Sequence, residues 1–418
     1  GVQGQVLSLA RALRIQGHDV RVLGPCDGAP PEAGIIALGN SMPIAVNGSI
    51  ASLAPDPSAQ LRTIRALWDE SFDVLHLHEP LVPGPTATAL LIGDAPLVGT
   101  FHAAGSGGAY RHLQPMFRYF AQWLTVRVAV SKDARALAAA ALGGTYELLF
   151  NGVDVERFET AVPWPTIAPT IAFVGRHEPR KGLAQLLEAM GRLPGDVQLW
   201  VMSDGPQTDG LRQRYGGDAR IQWLGRVSDH EKAQRLRGAD VFCAPSLHGE
   251  SFGVVLAEAM AAGTAVVASD LAGYRNAARP RHREGLLVAP GDVNALAAAL
   301  GEVLTNHDHR AELVAAGRSR ARELSMDRLA ACYVELYEQA RHLGPSARPW
   351  GQRRRQLTVA SRALKRLTPH HPPASPGTLR HDVTPAGRTA GPGRGMALAP
   401  AAANHGHEQQ TAAATIAL

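Results

Sequence analysis

The chain has 418 residues, of which 45% are hydrophobic and 19% charged, with 43 glycines and 29 prolines. At roughly 100–200 residues per domain this is room for two domains and a remainder, and the apolar share excludes a wholly disordered chain. Cys26, Cys243 and Cys332 are far apart and form no CxxC, which excludes a disulfide framework and a cysteine zinc site and fits a reducing cytosol. No run of 18 apolar residues occurs, so no membrane span is expected.

The formal net charge is +5 and the pI about 9.3, values that invite a nucleic-acid reading. The charge is not evenly spread. Residues 344–418 hold ten Lys/Arg against two Asp/Glu, a net of +8, and the remainder holds 32 against 35, a net of −3. The basic character belongs to the tail, so the body itself does not call for a nucleic-acid partner.

In chain order, Val6, Leu9, Ala10 and Leu13 recur at helical spacing and predict a helix from the very start. A strand follows at 19–23. A parallel sheet normally begins with a strand ahead of such a helix, so the first strand is expected to be missing from this chain. Further strands are expected at 35–38, 73–77, 96–100, 126–130 and 146–149. A second series is expected at 171–175, 198–202, 221–224, 240–244, 264–268 and 285–288. Helical stretches separate them, which predicts βαβ units and two parallel sheets. Thr160 to Pro169 holds three prolines and no periodicity, and reads as the linker between an N-terminal domain (1–160) and a C-terminal one (170–325). Helices are expected at 292–305, 308–323 and 326–343. From Gly344 onward the chain is rich in Pro, Gly, Ala, Arg and His, and reads as a disordered basic tail with only a short basic stretch at 353–367.

Ligands of open parallel sheets bind beyond the carboxyl ends of strands, so the segments after strands carry the chemistry. After 171–175, Arg176, Arg180 and Lys181 cluster in a strand-to-helix turn, which suits a phosphate: Arg offers a planar fork, Lys a point charge, and the helix its dipole. A solvated surface turn is the bland alternative. After 240–244, Glu250 precedes a helix expected at 254–262 and Glu258 lies inside it. At 100° per residue the two are about 80° apart around the axis. Carboxylates accept the hydrogen bonds of a diol, and free N–H groups from Ser251 to Val254 suit a diphosphate; Glu258 as a plain surface residue is the alternative. His76 and His78 alternate on one strand and face one side. A pair without a third ligand is weak support for a metal site, and support of the cleft is the favoured reading. His102 ends a strand, a place where a histidine is often simply packed.

RxxxxK at 176–181, the two glutamates within GESFGVVLAEAMAAGTAVVAS, and NGVDVERF at 151–158 together resemble a retaining glycosyltransferase of family 4 with the GT-B fold. The resemblance covers about residues 1–342. Within that family the chain is most similar to actinobacterial phosphatidyl-myo-inositol mannosyltransferases, through stretches that include 1–10, 43–53, 72–80, 100–102, 175–182 and 239–245. It implies two Rossmann-like domains facing across a cleft and a nucleotide-sugar donor, GDP-mannose, with no cofactor and no metal. Arg176 and Lys181 would bind the donor diphosphate and stabilise the leaving nucleotide. Glu250 would hold the donor sugar, with Ser251, Phe252, Gly253 and Val254 around the phosphates, and Glu258 would hold the ribose. Gly1 would approach the diphosphate, and His102 would lie beside the transferred sugar. Gln3, Asn47, Gly48 and Ser49 would meet the acceptor. Retention is expected by front-side attack, with the leaving phosphate helping to deprotonate the acceptor.

The resembled enzymes carry a basic residue, a threonine and a lysine where this chain has Ser52, Ala103 and Gly107, which removes two cations from the acceptor side. Segment 60–70 has the apolar Leu61, Ile64, Leu67 and Trp68 but only Arg62 and Arg65 beside Asp69 and Glu70, whereas an interfacial helix favours a more basic face. The expected partner is an inositol phospholipid at the inner face of the plasma membrane. The alternatives are a UDP-sugar donor or a soluble acceptor on the same fold, and an inactive product lacking its first strand. Nucleic-acid binding through the tail is a third class. A Rossmann dehydrogenase is disfavoured because no GxGxxG follows a strand.

Overall fold

Strands and helices alternate along the chain as the apolar pattern requires. The computed structural model describes residues 2–46, 49–103, 114–346 and 412–416. Its first half runs α1 (Val2–Ile15), β1 (Asp19–Gly24), β2 (Ile35–Ala37), β3 (Met42–Val46), β4 (Ser49–Leu53), α2 (Pro57–Asp69), β5 (Val74–His78), α3 (Pro85–Ile92), β6 (Leu97–Phe101), α4 (Gln114–Ala121), β7 (Val126–Ala129), α5 (Lys132–Leu142) and β8 (Glu147–Leu148). The second half runs α6 (Val155–Glu159), β9 (Thr170–Val174), α7 (Leu183–Met190), β10 (Gln198–Met202), α8 (Thr208–Tyr215), β11 (Ile221–Gly225), α9 (Asp229–Gly238), β12 (Val241–Ala244), α10 (Val254–Ala262), β13 (Ala265–Ser269), β14 (Leu286–Val288), α11 (Val293–Thr305), α12 (His307–Glu323) and α13 (Met326–Leu343). A last strand, β15, spans Ala412–Ile416.

Two parallel sheets result, ordered β2-β1-β15-β5-β6-β7-β8 and β11-β10-β9-β12-β13-β14. Period-two alternation loads both faces of the second sheet. Ile171, Phe173, Leu199, Val201, Val241 and Cys243 pack with helix residues such as Leu186 and Leu300. Ala172, Trp200, Met202, Phe242 and Ala244 pack on the other side with Leu256 and Met260 of α10. Strands buried on both faces read as continuous apolar runs, which is why the sequence reveals them to within a residue or two.

Two elements depart from expectation. The antiparallel hairpin β3–β4 was not expected. Pro43 argues against a strand, whereas the Asn-Gly that follows it in the chain is a strong hairpin signal. The second departure is β15. Residues 412–416 were expected to belong to a disordered tail, yet they form a strand parallel to both β1 and β5. A strand leading into α1 by a right-handed crossover would take that same place beside β1. Without it, β1 and β5 would each turn a row of unpaired N–H and C=O groups into the middle of the sheet. A short Ala-Ala-Ala-Thr-Ile segment satisfies them, where average tail composition predicted nothing.

After the second sheet the chain returns to the first. Helix α13 packs on the first half, where Met326, Ala330, Tyr333, Tyr337 and Ala340 join Val6, Leu9, Leu13, Val74 and Val98 in one apolar cluster. Among the described residues no helix is long and apolar enough to cross a membrane.

Candidate active site

The basic turn after β9 is a short 3-10 segment, Pro179–Lys181, closed by Gly182 in the left-handed region at φ 70°. No other residue fits there, because a Cβ on Gly182 would lie 1.9 Å from the Pro245 carbonyl oxygen. That close approach joins the turn to the segment after β12. Lys181 Nζ donates to Glu250 Oε1 at 2.6 Å, Arg180 Nη1 reaches the same oxygen at 3.3 Å, and Ser246 Oγ donates to it at 3.1 Å. Ser246 is held in turn by the buried Tyr274 hydroxyl at 2.8 Å. Lys181 and Glu250, 69 residues apart, thus share one small cluster.

Arg176 lies beside this cluster rather than in it. Its Nε pairs with Glu178 Oε1 at 2.8 Å, while Glu178 Oε2 takes Arg180 Nε at 2.9 Å. Glu178 is a shared counter-ion for both arginines. Arg176 is the most exposed of these side chains, at 44%, and so the freest to move.

Helix α10 starts from Gly253 at φ 85°, where a Cβ would meet the Tyr274 ring at 2.5 Å. Phe252 is buried and stacks on Phe150, ring centroids 5.5 Å apart, which anchors the loop carrying Glu250 and Ser251. Along the helix, Glu258 Oε1 pairs with Lys232 Nζ at 2.9 Å. Its Oε2 is buried with no partner among the described residues, a carboxylate oxygen left over by the protein.

Across the cleft His102 follows β6. Its Nε2 lies 2.9 Å from His78 Nδ1, and its backbone carbonyl accepts from Ser251 Oγ at 3.0 Å. Ser251 also lies 3.2 Å from Ser131 Oγ, so the two halves touch at the site. Beneath His78 the rings stack inward: His76 is 4.2 Å away between centroids. His76 is fully satisfied by Tyr337 OH at 2.8 Å and Thr100 Oγ1 at 2.7 Å, and Thr100 meets Tyr333 OH at 3.0 Å. Burial pushes the His76 pKa down to about 3 and that of His102 to about 4, and holds His78 well below its ordinary value. All three rings are neutral at neutral pH. A cavity of about 10 Å³, room for about one water, is lined by Gln5, His78, His102, Asn151 and Tyr333. Among the described residues no group of three or more His, Cys, Asp or Glu is disposed to hold a metal ion.

On the acceptor side, Gln3 lines a different depression of about 280 Å³ with Val6, Leu7, Cys26, Asp27 and Ser41. It is Gln5 that shares the cavity with His102, and Gln5 also ties α1 to the segment between β8 and α6 by a reciprocal pair with Gly152, at 2.8 and 3.0 Å. Gly1, Asn47, Gly48 and Gly107 lie outside the described residues; Ser49 sits in β4. The sequence reading missed Glu178, Ser246, Lys232 and Tyr274 as partners. Glu178 had a legible signal, a carboxylate between two arginines; the others come from elements too far apart in the chain to be paired in advance.

Two facing parallel α/β halves, with a basic turn and a glutamate-bearing helix start on one side of the contact, are the build of a GT-B glycosyltransferase. Residues 1–157 match the family model Glycosyltransferase Family 4, and residues 154–320 match Glycosyl transferases group 1. The chain belongs to the family 4 glycosyltransferases. It is 41% identical over 352 residues to the phosphatidyl-myo-inositol mannosyltransferase of Mycobacterium leprae, covering 81% of this chain and 92% of that protein. To the protein of the same name from Mycolicibacterium smegmatis it is 38% identical over 372 residues, covering 86% and 95%. Among solved structures, the sucrose-phosphate synthase from Thermosynechococcus elongatus superposes with a TM-score of 0.64 at 23% identity, over 81% of this chain and 93% of that one, a likeness of fold.

Proposed function

We propose that this glycosyltransferase moves mannose from GDP-mannose to phosphatidyl-myo-inositol or a related inositol lipid, with retention and without a metal. The reading rests first on one observation: about two-fifths identity to proteins bearing that name, over more than nine-tenths of their length.

The site chemistry supports it. The diphosphate enters beside Arg176, Arg180 and Lys181, with the N-terminus of α10 and the backbone of Ser251, Phe252, Gly253 and Val254 completing the anion site. The family resemblance assigns Gly1, outside the described residues, to the same phosphates. Glu250 takes the hydroxyls of the transferred sugar. The partnerless Glu258 Oε2 takes a ribose hydroxyl, which removes the cost of a buried, unpaired acceptor. His102, neutral, lines the sugar from the other half. In the transfer, the bond from the anomeric carbon to the phosphate oxygen breaks. The acceptor oxygen bonds to that carbon on the same face, and its proton passes to the departing phosphate. Charge grows on the diphosphate as this happens, and the cationic turn stabilises it in a site already shaped for it.

The family resemblance assigns the acceptor to Gln3, Asn47, Gly48 and Ser49, of which Asn47 and Gly48 lie outside the described residues. Leu61 and Trp68 on α2 are 66% and 65% exposed and offer an apolar face to a membrane surface. The charges beside them are largely spent within the protein: Arg65 pairs with Asp69 at 3.2 Å and Arg62 donates to the Leu38 carbonyl at 3.0 Å. Contact with a membrane is therefore driven by apolar burial more than by charge.

The donor assignment is tested by thermal unfolding with a panel of nucleotide sugars. GDP-mannose at about 100 times its Kd stabilises by about 2.7 kcal/mol, a rise of several degrees in Tm. A larger rise with a UDP- or ADP-sugar overturns the donor assignment and leaves the enzyme class standing.

A further inference from the structure

Glu79 has a backbone that its residue type does not favour. It sits at φ 54°, in the left-handed region that strains a non-glycine residue. Its N–H donates to the Thr100 carbonyl at 2.8 Å, and its own carbonyl accepts from Val82 N at 3.1 Å, so the turn after β5 is fastened to the end of β6. The conformation sends the carboxylate to one particular place: Glu79 Oε1 accepts from the backbone N–H of both His102 and Ala103, each at 2.7 Å.

We propose that Glu79 is a positioning residue for transfer, whose carboxylate oxygen fixes the His102–Ala103 backbone so that His102 presents its ring and its carbonyl to the cleft in one orientation. The inference rests on the proposed placement of His102 beside the transferred sugar. Three contacts then over-determine one residue. The N–H of His102 is held by Glu79, the ring by His78 at 2.9 Å, and the carbonyl by Ser251 from the donor loop at 3.0 Å. Ser251 neighbours Glu250, so the same carbonyl links the histidine to the loop that carries the proposed sugar-binding carboxylate. A strained residue held by such a surround is found where geometry matters to function. Glycine would adopt the turn with no strain but would supply no acceptor, which accounts for a glutamate in a glycine's conformation.

The test compares Glu79→Leu, which keeps bulk and removes the acceptor, with Glu79→Gln, which keeps an amide oxygen in the same place. Two readouts are used. Hydrogen exchange of the peptide spanning 97–103 reports the two N–H groups without any substrate. Turnover is read as nucleoside diphosphate released by transfer to water from GDP-mannose, with UDP-glucose in a parallel arm. That reaction needs no lipid and so stands apart from the acceptor assignment. In Glu79→Leu the amides of His102 and Ala103 exchange faster and kcat falls about 10²-fold. The donor KM is unchanged, because the donor grip belongs to the other half. Glu79→Gln keeps wild-type protection and a kcat close to wild type. Wild-type exchange in the leucine variant, an unchanged kcat despite faster exchange, or a glutamine variant as impaired as the leucine one would each overturn the proposal. If the leucine variant does not fold, the glutamine variant decides alone: lost protection or a collapsed kcat contradicts it.

Discussion

The side chains that matter most pair across long sequence distances, and this sets what single substitutions do. Lys181 and Glu250 hold each other at 2.6 Å, so removing either leaves a partly buried charge short of its partner as well as a gap where the donor binds. Glu250→Ala and Lys181→Ala are each expected to lower kcat/KM by about 10²–10³-fold, the scale of losing one built-in electrostatic contact. The far-UV circular dichroism should not change. Full activity in either variant contradicts the assigned roles. The histidines make a different prediction. His76 and His102 stay neutral when folded down to about pH 3 and about pH 4, whereas in the unfolded chain each takes up a proton near pH 6.5. Below that value the unfolded state binds more protons, so stability falls with falling pH, by about 1.4 kcal/mol per ring for each pH unit. Urea midpoints at pH 7.5, 6.0 and 5.0 should decline more steeply in the wild type than in His76→Gln, and equal slopes would show that these rings do not govern acid stability. The candidate residues Arg176, Lys181 and Glu250 were legible because each lies a few residues beyond the carboxyl end of a strand, and Glu258 because it lies on the helix that follows. The network beneath His102 was not, since Tyr337 is 261 residues from the histidine it satisfies.

At the level of elements, strands such as β5, β10 and β13 were legible because burial on both faces leaves an unbroken apolar run. Helix ends followed from local chemistry as well: Ser131 accepts from Ala134 N to start α5, and Ser325 from Arg328 N to start α13. What sequence patterning could not convey was partnership. The segment 412–416 is unremarkable in composition, and only the open place between β1 and β5 makes a strand of it. Deleting residues 412–418 should therefore act far from the cleft. Amide protection at Arg21, Leu23, Val74 and His76, which face β15 because Val22 N and Leu75 N donate to the other neighbours, should be lost, and Tm should fall by several degrees, since a central pairing on both flanks is removed. Retained protection at those amides would mean that β15 does not hold the sheet together.

Over the whole molecule, the chain passes between halves at two places that run side by side. Val153 N donates to the Leu324 carbonyl and Met326 N to the Val153 carbonyl, both at 2.9 Å, directly beside the Gln5–Gly152 pair. The proline-rich stretch from 160 to 169 is also fastened: Arg235 lies 4.0 Å over the Trp164 ring and 4.9 Å over Trp200, a cation–π contact on an otherwise buried guanidinium. The two halves are thus joined at this crossing and meet again where Ser251 Oγ donates to the His102 carbonyl. The net charge of +5 describes neither part of this molecule well, since the body is slightly acidic and the basic residues concentrate beyond residue 344. The central claim is mannosyl transfer to an inositol lipid, and it is tested most directly by incubating the full chain with mannose-labelled GDP-mannose and phosphatidylinositol vesicles. The expected result is a single labelled glycolipid bearing an α-linked mannose, with the anomeric configuration of the donor kept. Label found only in water-soluble product, or a lipid of inverted configuration, would contradict the account.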